Sequence, residues 1–588
     1  MFTLRKRALE RRAREKVLYQ RRPGGDIALC LVYPNVYRLG MGNLGFQAVY
    51  SIFEADARVA ADRAFLPDAD ERPLVWSGRE RLLSFERGMP LSEFEIIAFS
   101  VSFETDYLNV LAILRMAGIP LRSGERAAGG YPLIVAGGSA VFLNPEPLAD
   151  FVDLFLVGEG EEMVPEFLAR YRENRAFDRA ALLDRLAEIE GAYQPSRWLP
   201  SYDSTGRLAA LAYDGVGKPR VRRRLVSDLG RFTTSSLILT EESVFPDMYL
   251  VEASRGCQWG CRFCAAGFMY RPIRYRPAEV LIGEASRGLS ERKVIGLVGA
   301  EMASVPGVAS VAGHVADLGG RLSPSSLKAD CVSPDLAAAL ARSGNRSVTL
   351  APEAGSERMR KVINKNLTEA QILHAARTLI GEGIESLKLY FMVGLPEERE
   401  EDLGAIVELT GKILEAAKAG RQRIGRIALS VNPFVPKPWT PFQWDPMEEL
   451  PALKRKLRLL RDGLRRLGGV ELDAESPREA YFQTLVSRGD RRIGGILERL
   501  AREQCDEPGQ IWRGLQLIRR EIAEGNGNGY PAPDFFVTRR YDPEELLPWD
   551  FIDHHVHKWF LLSERKKAHY EHQSKPCDVT RCTVCGAC

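Results

Sequence analysis

The chain has 588 residues, which at about 100–200 residues per domain predicts roughly three to five domains. Hydrophobic residues make up 45% of it and charged residues 27%, an ordinary globular composition that excludes a disordered or collagen-like chain. With 81 Lys and Arg against 78 Asp and Glu, the net charge is only +3. This balance excludes a global electrostatic attraction to nucleic acid or to an anionic membrane.

The N-terminus and the cysteines predict a cytoplasmic protein without membrane contact. No run of about 18 apolar residues occurs, and Arg5, Lys6 and Arg7 stand where an export signal would begin its apolar stretch. The ten cysteines are clustered, with three at 257–264 and four at 577–588. In a cytosolic protein such clustering favours metal ligation over disulfides.

The N-terminal third predicts a basic arm at 1–24 and a doubly wound α/β domain at 25–200. For the arm we expect a solvated surface helix, with an RNA-contacting arm as the alternative. Short apolar runs alternate with helical stretches, which predicts a parallel sheet covered by helices on both faces; the runs lie at 27–33, 95–101, 133–136 and 154–157. Glycines follow several of these runs, at the strand ends where such a sheet binds a ligand, although each is also compatible with a simple turn.

A second alternating series predicts a barrel at 246–445, after a connecting region at 201–245. Its apolar runs lie at 249–253, 294–298, 322–328, 347–351, 386–393 and 427–432. Six strand–helix units predict a partial (β/α)6 barrel, whose chemistry would lie at the carboxyl ends of its strands.

Beyond the barrel we expect a mainly helical region at 446–575 and a Cys-rich metal-binding tail at 576–588. The region begins with a basic amphipathic helix at about 447–467, for which a solvated face is the leading interpretation and contact with RNA phosphates the alternative. The histidines at 554–572 are predicted to lie on helix surfaces, with participation in a metal site as the alternative.

The strongest motif follows the first barrel strand, where Cys257, Cys261 and Cys264 form C-x3-C-x2-C. Three thiolates can each bind one iron of a [4Fe–4S] cluster, which leaves the fourth iron open to a substrate. A structural zinc ion would need four ligands in a closed tetrahedron, and no fourth ligand lies nearby in the sequence.

With Phe263 just before the last cysteine, this segment resembles the radical S-adenosylmethionine (SAM) superfamily. The resemblance implies that the three cysteines are catalytic and that the open iron chelates the amino and carboxylate groups of SAM. One electron then cleaves the sulfonium C–S bond, yielding methionine and a 5′-deoxyadenosyl radical that abstracts hydrogen from a substrate. It also implies an electron donor such as flavodoxin or ferredoxin.

The resemblance extends to the residues after later barrel strands. Ala300 departs from the second glycine that is commoner in the family at that position. The implied SAM contacts are Glu301 for the amino group, Ser326 and Lys328 for the carboxylate and ribose, Glu353 in the next SAM-facing segment, and Gly394 and Pro396 in a turn near the adenine.

A doubly wound domain placed before the barrel resembles the cobalamin-binding class of radical SAM proteins. The first histidine of the chain is His314, so the domain lacks the D-x-H-x-x-G ligand of mutase-type cobalamin domains. This implies cobalamin without a protein imidazole on cobalt, or a domain that has lost the cofactor.

The leading reaction is therefore methyl transfer to an unactivated carbon, which would make the protein a transferase. Sulfur insertion assisted by a second cluster is one alternative. A non-catalytic iron–sulfur protein that binds RNA or senses redox state is the other. Nothing in the sequence identifies the substrate.

The last cysteines form C-x4-C-x2-C-x2-C and resemble ferredoxin-type ligation, which predicts a second [4Fe–4S] cluster; they are Cys577, Cys582, Cys585 and Cys588. Structural zinc and a redox-active or unligated tail are the alternatives. The scattered Cys30, Cys331 and Cys505 are predicted to be small core residues.

Overall fold

The computed structural model describes residues 3–20, 24–215, 219–418, 425–526 and 530–588. The elements of the N-terminal third are α1 (Thr3–Arg14), β1 (Lys16–Val17), β2 (Ile27–Tyr33), α2 (Tyr37–Met41), α3 (Leu44–Ala55), β3 (Val59–Phe65), α4 (Arg72–Trp76), β4 (Ile96–Ser100), α5 (Tyr107–Met116), β5 (Leu133–Gly137), α6 (Ser139–Leu143), β6 (Leu154–Leu156), α7 (Gly160–Asn174), α8 (Arg179–Leu186) and β7 (Ala192–Tyr193).

A six-stranded sheet forms the centre of this first domain, in the order β3-β2-β4-β5-β6-β7. All neighbours are parallel except β6 and β7. The five parallel strands thus follow the order second, first, third, fourth, fifth, which is the flavodoxin-like doubly wound arrangement. The predicted doubly wound fold is confirmed.

Strand β3 is an addition to the predicted set, because its sequence interrupts the apolar pattern with Asp62 and Arg63. Both side chains are buried, and each has a charged partner. Arg63 Nε donates to Glu86 Oε1 at 2.7 Å, and Arg87 Nε donates to Asp62 Oδ1 at 2.8 Å. Paired in this way, the two charges are compatible with a strand inside a parallel sheet.

The arm helix α1 packs on this domain through ion pairs. Arg11 contacts Asp68 at 2.7 Å and Glu242 at 2.8 Å, and Arg7 contacts Asp70 at 2.9 Å. None of the residues of α1 is buried, which agrees with the predicted surface helix.

A connecting region and the second domain follow. Their elements are β8 (Trp198–Tyr202), β9 (Leu208–Tyr213), β10 (Val221–Arg222), β11 (Ile238–Leu239), β12 (Met248–Glu252), β13 (Ser254–Arg255), α9 (Ala266–Met269), β14 (Arg274–Tyr275), α10 (Ala278–Leu289), β15 (Val294–Val298), α11 (Val308–Asp317), β16 (Arg321–Pro324), α12 (Pro334–Arg342), β17 (Ser347–Glu353), α13 (Glu357–Val362), α14 (Glu369–Gly381), β18 (Ser386–Val393), α15 (Glu400–Lys418), β19 (Arg426–Pro433), α16 (Leu450–Leu467) and β20 (Val470–Ala474).

The barrel strands form two parallel sheets, β12-β15-β16 and β17-β18-β19-β20. A parallel bridge between Leu327 and Leu350 joins them. The six predicted strands are present, and β20 adds a seventh within the region that we expected to be mainly helical. The predicted partial α/β barrel is confirmed, although it has one more strand than the six that we predicted.

Helix α16 is the predicted basic amphipathic helix. Its leucines at 453, 457, 460 and 464 are buried, while most of its basic side chains face solvent. Lys456 is an exception, because its Nζ lies 2.6 Å from Glu398 and 2.8 Å from Glu448.

The C-terminal region is mainly helical, as predicted. Its elements are α17 (Pro477–Arg488), α18 (Ile493–Arg502), α19 (Pro508–Ala523), α20 (Asp534–Val537), β21 (Ile552–Asp553) and α21 (Lys558–His569). His554 corrects the expectation of surface histidines: it is fully buried and its ring bonds to the Phe142 carbonyl at 2.7 Å. Within the described ranges, no helix combines the length and the apolar character needed to span a bilayer.

One buried carboxylate joins the two α/β domains. Glu159 lies between β6 and α7, and its carboxylate accepts two hydrogen bonds from Arg274, at 2.8 and 2.7 Å. Arg255 lies 3.1 Å from the same carboxylate, and the Val226 amide donates to it at 2.9 Å. Burial favours the neutral acid, but the Arg274 hydrogen bonds and the Arg255 charge overcome it and lower the pKa of Glu159.

We expect Glu159→Gln to lower the free energy of unfolding by about 3–5 kcal/mol, because it leaves buried arginines without their counter-ion. Glu162→Gln is the matched control, since Glu162 belongs to the same segment but forms a more exposed pair with Arg231, whose loss should cost at most about 1 kcal/mol. Urea unfolding followed by tryptophan fluorescence measures both. Equal losses in the two variants would contradict the assigned role of Glu159.

Candidate functional site

The three-cysteine motif lies on a loop that begins at the carboxyl end of the first barrel strand. We call residues 256–264 the triad loop; it follows β13 and leads into α9. Gly256 opens the loop with φ +88°, and a Cβ there would lie 2.6 Å from the Tyr270 carbonyl oxygen. Only glycine permits this close approach.

The three thiols lie close together within the loop. Cys261 is buried, and Cys257 and Cys264 are half-buried. Burial raises the pKa of all three, that of Cys261 to about 11, and the neighbouring thiols raise the pKa of Cys257 further. Lys365 acts in the opposite direction on Cys261 and Cys264.

The surroundings of the loop suit thiolate ligands. The amides of Ala266 and Gly267 donate toward Cys264, and metal binding requires the thiolate form of cysteine. The buried indole N–H of Trp259 has no hydrogen-bond partner among the described residues, so an acceptor bound at the loop would satisfy it. Among all residues that the structure describes, no group of three or more His, Cys, Asp or Glu side chains is placed to hold one metal ion. A cubane cluster takes each thiolate at a different iron.

Two buried lysines connect the triad loop to the SAM contacts implied by the sequence. The Lys328 Nζ lies 3.8 Å from the centre of the Trp259 ring and 2.5 Å from Asp330. The Lys365 Nζ lies 3.2 Å from Glu353 Oε1. Lys328 and Glu353 are therefore both placed beside the loop.

Glu301 and Ser326 lie on the adjacent turns, after β15 and β16. The Glu301 carboxylate accepts hydrogen bonds from the amides of Ala303, Ser304 and Lys328 at 2.7, 2.9 and 3.2 Å. Ser326 is half-buried. Glu301 thus fixes the turn that carries Lys328, in addition to any contact with a ligand.

The remaining predicted residues lie after β18. Gly394 has φ +77°, and its amide donates to Glu398 at 2.9 Å. Leu395, between Gly394 and Pro396, belongs to a small apolar cluster against which Phe263 packs. The structure therefore brings the six implied SAM contacts to the carboxyl ends of the barrel strands, around the triad loop, which itself carries Phe263.

The segment that carries the four cysteines at 577–588 contacts this same loop through Cys577. The Cys577 amide donates to the Gln258 carbonyl at 2.8 Å. Cys577 also interacts electrostatically with the other three cysteines of the segment. The spacing predicted a separate metal site, but nothing in it indicated this position.

Cys331 corrects the expectation that the scattered cysteines are core residues. Cys30 and Cys505 are buried, but Cys331 is half-exposed, and its Sγ lies 3.3 Å from Ser304 Oγ. In the sequence, Cys331 directly follows the polar segment at 325–330, and this position could have indicated that Cys331 lies at the site.

A cavity of about 530 Å³ separates the triad loop from the first domain. Arg255, Gly256 and Tyr270 form the wall on the barrel side, and residues at the ends of β4, β5 and β6 form the other. The lining is mainly apolar and contains no histidine. This volume lies within the usual range of small-molecule and cofactor sites.

Polar groups and glycines of the first domain shape the sheet side of the cavity. Asn43 caps α3 by accepting from the Phe46 amide at 2.9 Å, and its Nδ2 donates to Ser102 Oγ at 3.0 Å. Gly138 has φ +110°, and a Cβ there would lie 2.4 Å from the Val101 carbonyl oxygen. Two features therefore require glycine at position 138: the positive φ of the turn and the close approach of the Val101 backbone.

Comparisons with known proteins give both a relative and similar structures. An uncharacterized protein of Methanocaldococcus jannaschii is 28% identical over 474 residues, which cover 80% of this chain and 90% of that protein. The cobalamin-dependent SAM radical enzyme OxsB is 16% identical, with a TM-score of 0.44 over 68% of this chain and 53% of OxsB. The radical SAM methyltransferase TsrM from Kitasatospora setae is 14% identical, with a TM-score of 0.49 over 82% of this chain and 100% of TsrM.

Two family models match the chain directly. The model of the N-terminal region of radical SAM proteins matches residues 45–195. The model of the radical SAM superfamily matches residues 251–410, which include the triad loop and the turns around it. The two matches together cover more than half of the chain, and the protein belongs to the radical SAM superfamily.

Proposed function

We propose that this radical SAM enzyme transfers a methyl group to an unactivated carbon with the help of cobalamin bound in the cavity. The observation that carries the proposal is the position of the cavity. Its two walls are the carboxyl edge of the doubly wound sheet and the start of the triad loop. A cofactor in this cavity would lie beside SAM.

The triad loop fits a [4Fe–4S] cluster held by Cys257, Cys261 and Cys264. When bound, the cluster supplies an open iron for SAM and the electron that cleaves its sulfonium C–S bond. The protein contributes three thiolates, two amide donors beside Cys264 and the positive charge of Lys365. The two amides and the lysine stabilise the negative charge of the thiolates, and in a buried place such an interaction is stronger than in water.

The turns after the barrel strands suit the parts of SAM. Lys328 is held on the Trp259 ring and offers a cation to the SAM carboxylate, while Ser326 offers a hydroxyl to the ribose. Glu301 would bind the amino group; in support of this, its carboxylate lies in the electrostatic surroundings of Cys257. Gly394, Pro396 and Phe263 provide the apolar corner for the adenine.

The cavity fits a large, mainly apolar cofactor with a polar rim. Its lining includes the apolar side chains of Leu31, Ala48 and Val49 together with Ser102 and Ser139. Because no histidine lines it, cobalamin would bind without a protein imidazole on cobalt. The apolar walls would exclude water from the reacting groups.

The reaction class can be tested on anaerobically reconstituted protein supplied with SAM and a reductant. We expect 5′-deoxyadenosine, S-adenosylhomocysteine and one bound corrin. Sulfur insertion would consume cluster sulfide or added sulfide and require no corrin. A redox sensor or an RNA-binding protein would yield neither nucleoside, which would contradict the proposal.

Each of Cys257→Ala, Cys261→Ala and Cys264→Ala should abolish reductive cleavage of SAM, because the cluster loses one of its three thiolates and with it the single open iron. The measurement is 5′-deoxyadenosine formation after reconstitution, together with iron content. Cys505→Ala is the control, since Cys505 is a buried thiol in the helical region. Wild-type rates in any of the three loop variants would rule out the assigned site.

A side chain that fills the cavity should block cobalamin. Ala48 lines the cavity from α3, and Ala48→Trp is expected to weaken corrin binding more than about tenfold, or about 1.4 kcal/mol. Ala55→Trp, on the exposed end of the same helix, should bind corrin like the wild type. Corrin absorbance after gel filtration measures binding, and equal binding by the two variants would place the corrin elsewhere.

The cobalt environment gives an independent test. Electron paramagnetic resonance of the Co(II) form should lack the nitrogen superhyperfine splitting that an imidazole ligand produces, because the cavity lining contains no histidine. Observation of that splitting would exclude the proposed binding mode. Reconstitution without any bound corrin would show that the domain does not use the cofactor.

A further inference from the structure

The segment that carries the last four cysteines is bound to the triad loop at several points. We call residues 574–588 the cysteine tail. The Cys577 amide donates to the Gln258 carbonyl at 2.8 Å. Asn364 bridges the two segments, since it donates to the Gly260 carbonyl at 3.0 Å and accepts from the Ser574 amide at 2.8 Å.

A buried arginine inside the motif adds a second attachment. Arg262 lies between Cys261 and Phe263 and is fully buried. Its guanidinium donates to the His572 carbonyl at 2.7 Å and contacts Glu564 of α21 at 3.1 Å. The helix that leads into the cysteine tail is therefore fixed to the triad loop itself.

The tail folds back on itself and against the residue that precedes α21. The Cys582 amide donates to the Asp578 carbonyl at 2.9 Å, and the His557 amide donates to the Cys585 carbonyl at 2.9 Å. Gly586 has φ +90°, and a Cβ there would lie 2.4 Å from the His557 ring. This tight turn brings the cysteines at 582, 585 and 588 into the electrostatic surroundings of Cys577.

Arg271 and Tyr275 lie near both the triad loop and the cysteine tail. Arg271 is buried and acts electrostatically on Cys577 and Cys588; its Nη2 would lie 3.5 Å from a Cβ on Gly260 of the triad loop. The Tyr275 hydroxyl lies in the electrostatic surroundings of both Cys257 and Cys577. The Cys577 amide is hydrogen-bonded to the carbonyl of Gln258, the residue next to Cys257. Standard bond lengths therefore place the Cα atoms of Cys577 and Cys257 at most about 11 Å apart.

The tail lies on the outer side of the triad loop, away from the cavity. None of the residues that line the cavity comes from 574–588. Thr583, Val584 and Cys588 are exposed, whereas Cys585 is buried. The second cysteine group thus extends from the protein surface to the triad loop without facing the place where cobalamin is proposed to bind.

From this juxtaposition we propose that the cysteine tail holds a second [4Fe–4S] cluster that delivers the electron for SAM cleavage to the triad cluster. This inference rests on the proposed function, since it requires a SAM-cleaving cluster on the triad loop. A small one-electron carrier protein reduces the second cluster from the 2+ to the 1+ state. The second cluster returns to 2+ as it reduces the triad cluster from 2+ to 1+, so one electron enters and one is passed on.

The test compares two reductants on four reconstituted proteins: the wild type, two tail variants and one control variant. The variants are Cys582→Ala/Cys585→Ala, which keeps the backbone attachment at Cys577, and a chain without residues 576–588. Cys505→Ala is the control. Each should be assayed for iron, zinc and 5′-deoxyadenosine, first with reduced flavodoxin and then with dithionite, a small reductant that can reach the triad cluster directly.

We expect both tail variants to lose about four irons per chain and to cleave SAM at least tenfold more slowly with flavodoxin, with near wild-type rates under dithionite. In the fully reduced wild type, electron paramagnetic resonance should show spin–spin interaction between two clusters, and this signal should vanish in the variants. Failure of the wild type to cleave SAM with dithionite would contradict the proposed function itself. Unchanged flavodoxin-driven rates, unchanged iron, loss of one zinc instead of iron, or absence of the spin–spin interaction would each overturn the relay.

Discussion

The buried carboxylate of Glu159 is the constraint on which the arrangement of the two α/β domains depends. It follows the last parallel strand of the first domain and binds Arg255 and Arg274, which lie on the two strands that frame the triad loop. Arg223 lies 3.6 Å from the same carboxylate. A charge of this kind is stable in the interior only when its partners remain in place, so the ion pairs fix the carboxyl edge of the sheet against the start of the motif.

The triad loop is consequently held from two directions. On one side Arg255 connects it to the first domain and leaves a cavity between the two. On the other side Arg262 and Asn364 connect it to α21 and the cysteine tail. The cavity side would receive cofactor and substrate, and the tail side would receive electrons. A single loop of nine residues would then couple the two processes, because each contact orients cysteines that belong to the same cluster.

Much of the fold could be predicted because the strands obey a local pattern. Runs such as those of β2 and β15 are apolar and flanked by turn residues, as expected for strands buried on both faces. Strand β3 was missed because Asp62 and Arg63 interrupt its pattern, and only distant partners such as Arg87 make their burial acceptable. Strand β20 was missed because its side chains alternate between half-buried and exposed positions at an edge of the sheet.

In the site, as in the fold, the features that depend on neighbouring residues could be predicted, and those that depend on contacts between distant residues could not. The cysteine spacing and the residues after each barrel strand are local, so the triad and its surroundings could be predicted. The Glu159–Arg274 pair joins residues 115 positions apart, and the Arg262–Glu564 pair joins residues 302 positions apart. A single sequence contains no pattern for such pairs, although the first fixes the two α/β domains against each other and the second fixes the helix that leads into the cysteine tail.

The most direct test of the account is whether SAM binds the open iron of a cluster on the triad loop. Electron–nuclear double resonance on the reduced, reconstituted protein can answer this with SAM labelled by 13C at the carboxylate and by 15N at the amine, in the Cys582→Ala/Cys585→Ala background so that only the triad cluster contributes. The account predicts hyperfine coupling of both labels to the cluster. A cluster signal without coupling to either label would contradict it.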